Sequence, residues 1–230
     1  MASLNSIRVF LVICCHQGFS IHQFDVDTAF LNGHLKNEVF IYPPEGVEAN
    51  PKQIFRLNRS LYGLKQAAAT WFKTILSIFV SMRFKQSATD SCIFIREDIN
   101  SQIYVTLYVD DMLIGAKSIE TIRGVASELS KHFKMKILGN VRFIIGIEVD
   151  YMQYIRQMTI SQGAFITRMI LRFQQAEAKP VKNSSIEGQF LVKSNKKDPR
   201  MDKRPYRSLV GSLLYVANGT RSDLPAQFVN

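Results

Sequence analysis

Two pairs of acidic residues stand out because each lies at the end of an apolar run. Asp110 and Asp111 separate two predicted strands, and no Gly or Asn eases the turn between them. Asp25 and Asp27 end another predicted strand, where their i, i+2 spacing places both on one face. Carboxylates from two strand ends are oxygen ligands suited to Mg²⁺, which can act on phosphates. Two plainer interpretations stay open, namely an exposed acidic turn at 110–111 and capping of a short helix at 28–30.

The charge of the chain favours an anionic partner. The 230 residues include 29 Lys and Arg against 19 Asp and Glu, which gives a formal net charge of +10. The excess lies in residues 116–230, with 19 basic and 9 acidic residues, whereas residues 1–115 carry 10 of each. A hydrophobic fraction of 47% supports a buried core and excludes wholesale disorder. Nucleic acid and other anionic surfaces are therefore the favoured classes of partner.

Cysteine usage and apolar segments indicate an intracellular protein. Cys14, Cys15 and Cys92 form an odd set without CxxC spacing, so neither a disulfide scaffold nor a structural zinc site is predicted. The apolar run at 9–15 is too short to span a bilayer and lacks the pattern of a signal peptide. We therefore expect a cytoplasmic protein in a reducing compartment, without a membrane partner.

The order of the predicted elements favours an α+β fold, with hairpins and helices in place of a doubly wound sheet. Helical periodicity predicts helices that begin at Asn5 or Ser6, at Gln66, at Ser118 and after a cap at Ser161. Apolar alternation predicts strands over 19–26, 39–42, 54–57, 91–96, 102–108, 112–115, 143–149 and 158–160. Residues 176–207 contain three prolines and many basic residues, which predicts a linker. We accordingly predict a main domain over 1–175 and a basic linker and connection-like segment over 176–230.

Six stretches, in this order, resemble the reverse transcriptase of Ty1/copia-type LTR retrotransposons. They are FDVDTAFLNG at 24–33, SLYGLKQA at 60–67 followed by Trp71, YVDD at 108–111, FIIGIEV at 143–149, ISQ at 160–162 and YRSLVGSLLY at 206–215. The resemblance covers nearly the whole chain and implies a right-hand polymerase fold, in which an antiparallel palm sheet packs on helices beside partial fingers and thumb. It also implies an RNA-directed DNA polymerase that acts on an RNA or DNA template–primer duplex.

The resemblance implies a catalytic triad of Asp25, Asp110 and Asp111 that holds two Mg²⁺ ions against the triphosphate of an incoming dNTP. Asp25 and Asp110 are expected to be the main metal ligands and Asp111 a supporting one. One ion would activate the primer 3′-hydroxyl and the other would stabilise the leaving pyrophosphate. Asp27 lies outside the family triad, and we expect it to be solvated or to cap a helix.

Further positions carry roles by the same resemblance. Those expected to contact the nucleotide are Phe30, Gln66 and Val109, and those expected to contact the primer or template are Tyr108, Phe143, Gly146 and Glu148. An aromatic ring at Phe30 would leave no room for a ribose 2′-hydroxyl. Basic residues expected to contact phosphates are Lys131, Lys134, Lys136, Arg142, Arg168 and Arg172. The plainer interpretations are core packing for Phe30, a first-turn helix position for Gln66, an apolar strand at 143–148 and solvated helix faces for the cations.

The sequence departs from the family pattern in two respects. Ala68 and Ala69 stand where the family has Pro-Arg, which removes a charged donor fork near the site. The family's upstream fingers strands are not found in the sequence, so we expect a truncated copy, derived from a polyprotein that assembles in virus-like particles. Two functions stay open, an active polymerase domain and an inactive remnant that at most binds nucleic acid non-specifically. A two-metal nuclease or phosphatase would fit the paired Asp residues but not the other motifs.

Overall fold

A six-stranded antiparallel sheet carries most of the predicted site. The computed structural model describes residues 2–48, 50, 52–98, 101–179 and 205–224. The strands are β1 Ser20–Val26, β2 Phe40–Ile41, β3 Phe55–Arg56, β4 Lys85–Gln86, β5 Ile93–Asp98, β6 Ser101–Tyr108, β7 Asp111–Ala116, β8 Met135–Asn140, β9 Phe143–Ile144, β10 Ile147–Met152 and β11 Gln157–Ser161. The large sheet has the order β4-β5-β6-β7-β1-β8, and its recorded pairings are antiparallel. The predicted α+β class with an antiparallel sheet is therefore confirmed.

The helices begin and end close to the predicted positions. They are α1 Leu4–Gln17, α2 Ala67–Ser81, α3 Ile119–Ser130, α4 Gly163–Arg172 and α5 Tyr206–Gly219, with short 3-10 turns at Ala29–Asn32 and Gln153–Ile155. Ser118 caps α3 as predicted, because its side chain accepts the Thr121 N–H. The predicted cap of α1 at Asn5 or Ser6 is wrong, since the Ser3 hydroxyl accepts the Ser6 N–H over 3.0 Å.

Period-two alternation along β7 places helices on both faces of the sheet. Met112 and Ile114 belong to the main core cluster, which also holds the buried faces of α2 and α3. Gly115, one position on, points toward α1, where an added Cβ would meet Cys14 and Phe10. The sheet is therefore the middle layer between α1 on one face and α2 with α3 on the other.

The chain divides into two compact units. The first is Met1–Val141 with Tyr151–Met158, and the second is Arg142–Asp150 with Thr159–Asn230. In the second unit, β9 and the start of β10 form a tight hairpin, and the apolar segment at 206–215 forms most of α5. Most of the predicted linker at 176–207 lies outside the described residues, so the predicted boundary near residue 175 stays a prediction.

Strand β8 was not predicted from the sequence. It pairs with β1 at the edge of the six-stranded sheet, and Ile137 and Leu138 are 70% and 52% exposed. Its side chains do not alternate between polar and apolar, so the sequence carries no signal of period two there. None of the helices in the described part of the chain is long and apolar enough to cross a bilayer.

Two glycines provide a matched test of this packing. A Cβ at Gly115 would lie 2.5 Å from the Cys14 Sγ, whereas a Cβ at Gly124 in α3 would meet no atom within 4 Å. Gly115→Ala should lower the free energy of unfolding by about 1–3 kcal/mol because it overpacks the interface between α1 and β7. Gly124→Ala should raise it by roughly 0.5–1 kcal/mol through helix propensity. Urea unfolding of both variants measures the two effects, and equal stabilities would contradict this layer arrangement.

Candidate active site

The three predicted carboxylates lie at one end of the six-stranded sheet. Asp25, next to the last residue of β1, is the register partner of Asp111, the first residue of β7. Directly opposite residues on neighbouring strands project to the same face, so these two side chains share a face of the sheet. The Val26 N–H donates to the Asp110 carbonyl over 2.9 Å, which holds the turn before β7 against the end of β1. All three Asp side chains are partly buried, and in this respect the site differs from a freely exposed acidic turn.

The turn that presents Asp110 has an unusual backbone conformation. Tyr108, at the end of β6, pairs with Asp111, so Val109 and Asp110 form a two-residue hairpin turn. Such turns need a positive φ at their first central residue, and Val109 has a φ of 56°. For a β-branched residue this conformation costs roughly 1–3 kcal/mol. The Trp71 indole N–H donates to the Val109 carbonyl over 2.8 Å and holds the turn from the side of the core.

Two neutral side chains hold the carboxylates of the turn. The Tyr62 hydroxyl donates to the Asp110 Oδ2 over 2.8 Å, and the Gln23 amide donates to the Asp111 Oδ1 over 3.2 Å. The other Asp110 oxygen, Oδ1, is buried and has no hydrogen-bond partner among the described residues. Sequence reasoning assigned no role to Tyr62 or Gln23. Gln23 could have been found from its i, i+2 spacing to Asp25, which places both on one face of β1.

Burial and like charge both act on this cluster. Burial raises the pKa of Asp111 above its ordinary value, and the charges of Asp25 and Asp110 add to this effect, which the Gln23 hydrogen bond only partly offsets. Burial, the hydrogen bond to Asp110 and the nearby carboxylates raise the pKa of Tyr62 to about 12. Tyr62 therefore stays a neutral hydrogen-bond donor at physiological pH.

Lys136 of β8 and Lys134, directly before this strand, neutralise the neighbouring acidic residues. The Lys136 ammonium lies 3.0 Å from the Asp27 Oδ1 and 3.5 Å from the Asp25 Oδ2, and the Lys134 ammonium lies 3.3 Å from the Asp27 Oδ2. The Asp27 side chain is only 19% exposed, and its hydrogen bond to Lys136 holds its pKa below the usual value. The expectation that Asp27 is solvated or caps a helix is therefore wrong, because the unpredicted strand β8 and the residue before it bring two cations to Asp27.

The remaining cations of the predicted phosphate-binding group have mixed surroundings. Lys131 pairs with Glu128 at 2.6 Å, and the Arg172 guanidinium lies over the Phe173 ring at 5.6 Å. Arg142 and Arg168 are exposed. With Lys134 and Lys136 also paired, half of the six predicted cations have an internal acidic partner.

The oxygen atoms of the three carboxylates are of a chemical type that can bind a divalent cation. Carboxylate oxygens are the ligands that Mg²⁺ prefers, and the unpartnered Asp110 Oδ1 is an atom that a cation would satisfy. Asp25 already faces a positive charge in Lys136. Within the described ranges, however, no three His, Cys, Asp or Glu side chains are gathered closely enough to hold a metal ion. The residues fit the ion by type, and binding would require the carboxylates to turn toward one another.

The predicted nucleotide contacts line two adjoining depressions. Phe30 and Val109 line an apolar cavity of about 250 Å³, together with Trp71 and Leu107. Gln66, directly before α2, lines a different depression of about 480 Å³ beside Lys36 and Lys73. The structure thus brings Phe30 and Val109 together in one cavity, and Gln66 lines an adjoining depression that shares Ala69 with it.

The predicted primer contacts divide between the two units. Tyr108 belongs to the first unit, whereas Phe143, Gly146 and Glu148 belong to the β9–β10 hairpin of the second. Phe143 is 46% exposed. Ile145 and Gly146 have φ values of 49° and 73°, which form the hairpin turn.

The other residues of this hairpin make contacts with neighbouring elements of the second unit. The Tyr215 hydroxyl of α5 donates to the Ile145 carbonyl over 2.6 Å, and a Cβ on Gly146 would collide with it. The Glu148 carboxylate accepts the Ala164 N–H and the Ser161 hydroxyl, at 2.9 and 2.8 Å. Glu148 therefore caps α4. The prediction that Ser161 caps this helix is wrong, because its hydroxyl donates to Glu148.

Sequence comparison shows the family to which the chain belongs. A family model described as reverse transcriptase (RNA-dependent DNA polymerase) matches residues 1–187. The chain belongs to the reverse transcriptase family. The predicted resemblance to Ty1/copia-type retrotransposon proteins is confirmed, because curated relatives of this kind match most of the chain.

Three of these relatives show the extent of the similarity. The retrovirus-related Pol polyprotein from transposon TNT 1-94 of Nicotiana tabacum is 36% identical over 234 residues, which cover 97% of this chain and 18% of that protein. The corresponding polyprotein from transposon RE2 of Arabidopsis thaliana is 32% identical, over 95% of this chain and 15% of its own length. A transposon Ty5-1 protein of Saccharomyces cerevisiae is 30% identical, over 87% and 65%. The chain thus spans less than a fifth of the two plant polyproteins.

The raised pKa of Asp111 gives a stability prediction with a defined sign. A carboxyl whose pKa is higher in the folded than in the unfolded protein lowers the free energy of unfolding as the pH rises above about 4, the ordinary pKa of an Asp side chain. The reason is that folding disfavours its charged form. Asp111→Asn should therefore raise the free energy of unfolding at about pH 7, and the gain should vanish near pH 3. The exposed Asp150→Asn serves as the control and should change little at either pH. Denaturant titrations at both pH values test this, and a loss of stability at neutral pH would contradict it.

Proposed function

We propose that this chain is the catalytic portion of an RNA-directed DNA polymerase of the Ty1/copia type, which extends a primer 3′-hydroxyl with a nucleotide from a dNTP. The observation that supports this most strongly is the register pairing of Asp25 with Asp111 beside the strained turn that carries Asp110. Three acidic positions are kept together there at a cost in repulsion and strain. Such a cost at a site is the pattern expected of a functional constraint.

The proposal assigns Asp25 and Asp110 as the main metal ligands and Asp111 as a supporting one. Two bound Mg²⁺ ions would neutralise the triphosphate and activate the primer hydroxyl. Gln23 and Tyr62 hold the Asp111 and Asp110 carboxylates in defined orientations. Phe30 and Val109 line one cavity, where the aromatic ring would exclude a 2′-hydroxyl. Gln66 would contact the nucleotide from the adjoining depression, which shares Ala69 with that cavity.

The proposal extends to the primer and the fold. The sheet of the first unit corresponds to the palm of a right-hand polymerase, with partial fingers and thumb formed by the remaining segments. Tyr108, Phe143 and Gly146 would contact the primer or template, with the exposed Phe143 ring as the best available surface. Glu148 supports this assignment indirectly, by fixing α4 to the hairpin. From the relatives, we also propose that other parts of a polyprotein are partners of this chain and that it acts in a virus-like particle.

Primer extension on an RNA template with Mg²⁺ and dNTPs tests the proposed activity. Asp110→Asn and Asp25→Asn should each lower the extension rate by at least about 10²-fold, because each removes a carboxylate that would hold the Mg²⁺ ions. Glu97→Gln, which changes an exposed carboxylate on β5, should extend at the wild-type rate. No extension by the unmodified chain, or full activity of Asp110→Asn, would refute the proposal.

Duplex binding separates an active enzyme from an inactive nucleic-acid-binding remnant. Neutralisation of several phosphates releases counterions, so the logarithm of the binding constant should fall linearly with the logarithm of salt concentration. Phe143→Ala should weaken binding of a primer–template by roughly fivefold or more, through loss of an exposed stacking surface, without changing the salt slope. Fluorescence anisotropy of a labelled duplex measures both quantities. Salt-dependent binding without extension would favour the remnant, and salt-independent binding would contradict nucleic acid as the partner.

A further inference from the structure

Tyr62, which carries no predicted role, contacts two residues of the proposed site at once. Its hydroxyl donates to the Asp110 Oδ2 over 2.8 Å. Its ring lies against the Phe30 ring, with centroids 4.5 Å apart and planes inclined by 44°. The residue itself is 54% exposed, so burial in the core does not account for these contacts.

We propose that Tyr62 is a positioning residue that orients the Asp110 carboxylate for a divalent cation and supports the Phe30 ring as the wall against a ribose 2′-hydroxyl. This inference rests on the proposed polymerase function. A single side chain would then influence both the binding of the metal and the discrimination between ribose and deoxyribose.

The first half of the proposal follows from the unequal surroundings of the two Asp110 oxygens. Rotation about the terminal bond of an aspartate interchanges its oxygens with little cost unless a partner selects one orientation. Tyr62 binds Oδ2, and Oδ1 is left buried without a partner. A hydroxyl that donates to a carboxylate forms a strong, charge-assisted hydrogen bond. The contact therefore fixes which oxygen is available to a cation.

The second half follows from the position of Phe30. Phe30 lies in the short 3-10 turn Ala29–Asn32, is partly buried and packs against the main core cluster, and its contact with Tyr62 adds to these contacts. It lines the cavity that also contains Val109, directly beside Asp110 in the chain. The tilted contact with Tyr62 is a favourable geometry for an aromatic pair. A ring held in this way keeps a constant distance from a bound sugar.

Two substitutions separate the hydroxyl from the ring. Tyr62→Phe removes the hydrogen bond and keeps the aromatic contact, whereas Tyr62→Leu removes both. Tyr42→Phe is the matched control, because Tyr42 is 85% exposed and its hydroxyl makes no hydrogen bond among the described residues. Mn²⁺ binding, followed by the electron paramagnetic resonance signal of free Mn²⁺, reports on Asp110 without any turnover. Sugar selection is measured as the ratio of the dissociation constants of ATP and dATP in the presence of a primer–template and Ca²⁺.

The two variants should give different results. Tyr62→Phe should weaken Mn²⁺ binding by roughly three- to tenfold, the effect of losing one charge-assisted hydrogen bond, and leave the nucleotide ratio within about twofold. Tyr62→Leu should weaken Mn²⁺ binding to a similar extent and also lower the nucleotide ratio by at least about fivefold. Tyr42→Phe should change neither quantity. In an Asp110→Asn background, Tyr62→Phe should have no further effect on Mn²⁺ binding.

Three outcomes would overturn the inference. Tighter Mn²⁺ binding by Tyr62→Phe would show that the hydroxyl blocks the carboxylate instead of orienting it. Unchanged Mn²⁺ binding by Tyr62→Phe would show that Tyr62 does not orient Asp110. An equal nucleotide ratio in all variants would show that Tyr62 does not support the Phe30 ring. Absent primer extension by the wild type would refute the polymerase function alone, since both readouts here are equilibrium binding constants.

Discussion

The hydrogen bond from the Trp71 indole to the Val109 carbonyl connects the turn that carries Asp110 to the core. Trp71 is 2% exposed and packs edge-on against Phe133, with ring centroids 5.0 Å apart. Its N–H would be costly to bury without an acceptor, and the strained turn supplies one. The unusual backbone of Val109 and the buried polar atom of Trp71 therefore stabilise each other. The position of Asp110 depends on this exchange, because it is the next residue of the same turn.

A consequence is that core packing and site geometry are not independent. Trp71 belongs to α2, whose buried face also includes Ile75 and Phe79 and packs within the main cluster under the sheet. Loss of volume anywhere on this face can move the indole, and with it the acceptor at Val109. Gln23 and Tyr62 hold the carboxylates at the same end of the sheet, from β1 and from the segment before α2. The turn and its two carboxylates are thus held by three neutral donors, whereas Asp25 faces the charged Lys136.

Much of the fold could be predicted from the sequence where a periodic pattern was clear. The alternation over 102–108 gave β6 to within a residue, and the apolar periodicity after Ser118 gave the start and the cap of α3. The failures have local causes. Strand β8 lacks alternation because it is an exposed edge, and the caps at Ser3 and Glu148 depend on which of several polar residues the tertiary structure brings to a helix end.

The same distinction applies to the site. The residue types and spacing of Asp25, Asp110 and Asp111 marked them for metal chemistry, and their placement at one sheet end follows from strand pairing. The partner Tyr62 could not be derived, because 48 positions separate it from Asp110. The error at Asp27 has the same origin, since its partners are Lys136, on the strand that was missed, and Lys134, directly before that strand.

Lys136 has a further consequence that concerns association between chains. Strand β8 is an edge, and its exposed Ile137 and Leu138 offer an apolar ribbon that another strand could join. A lysine on an edge strand opposes such joining, because docking a second strand would bury its charge. Lys136, which pairs with Asp25 and Asp27, is therefore also placed to oppose edge-to-edge association. A loss of soluble protein on its replacement would accordingly be expected from association at this edge, separately from any change in the site.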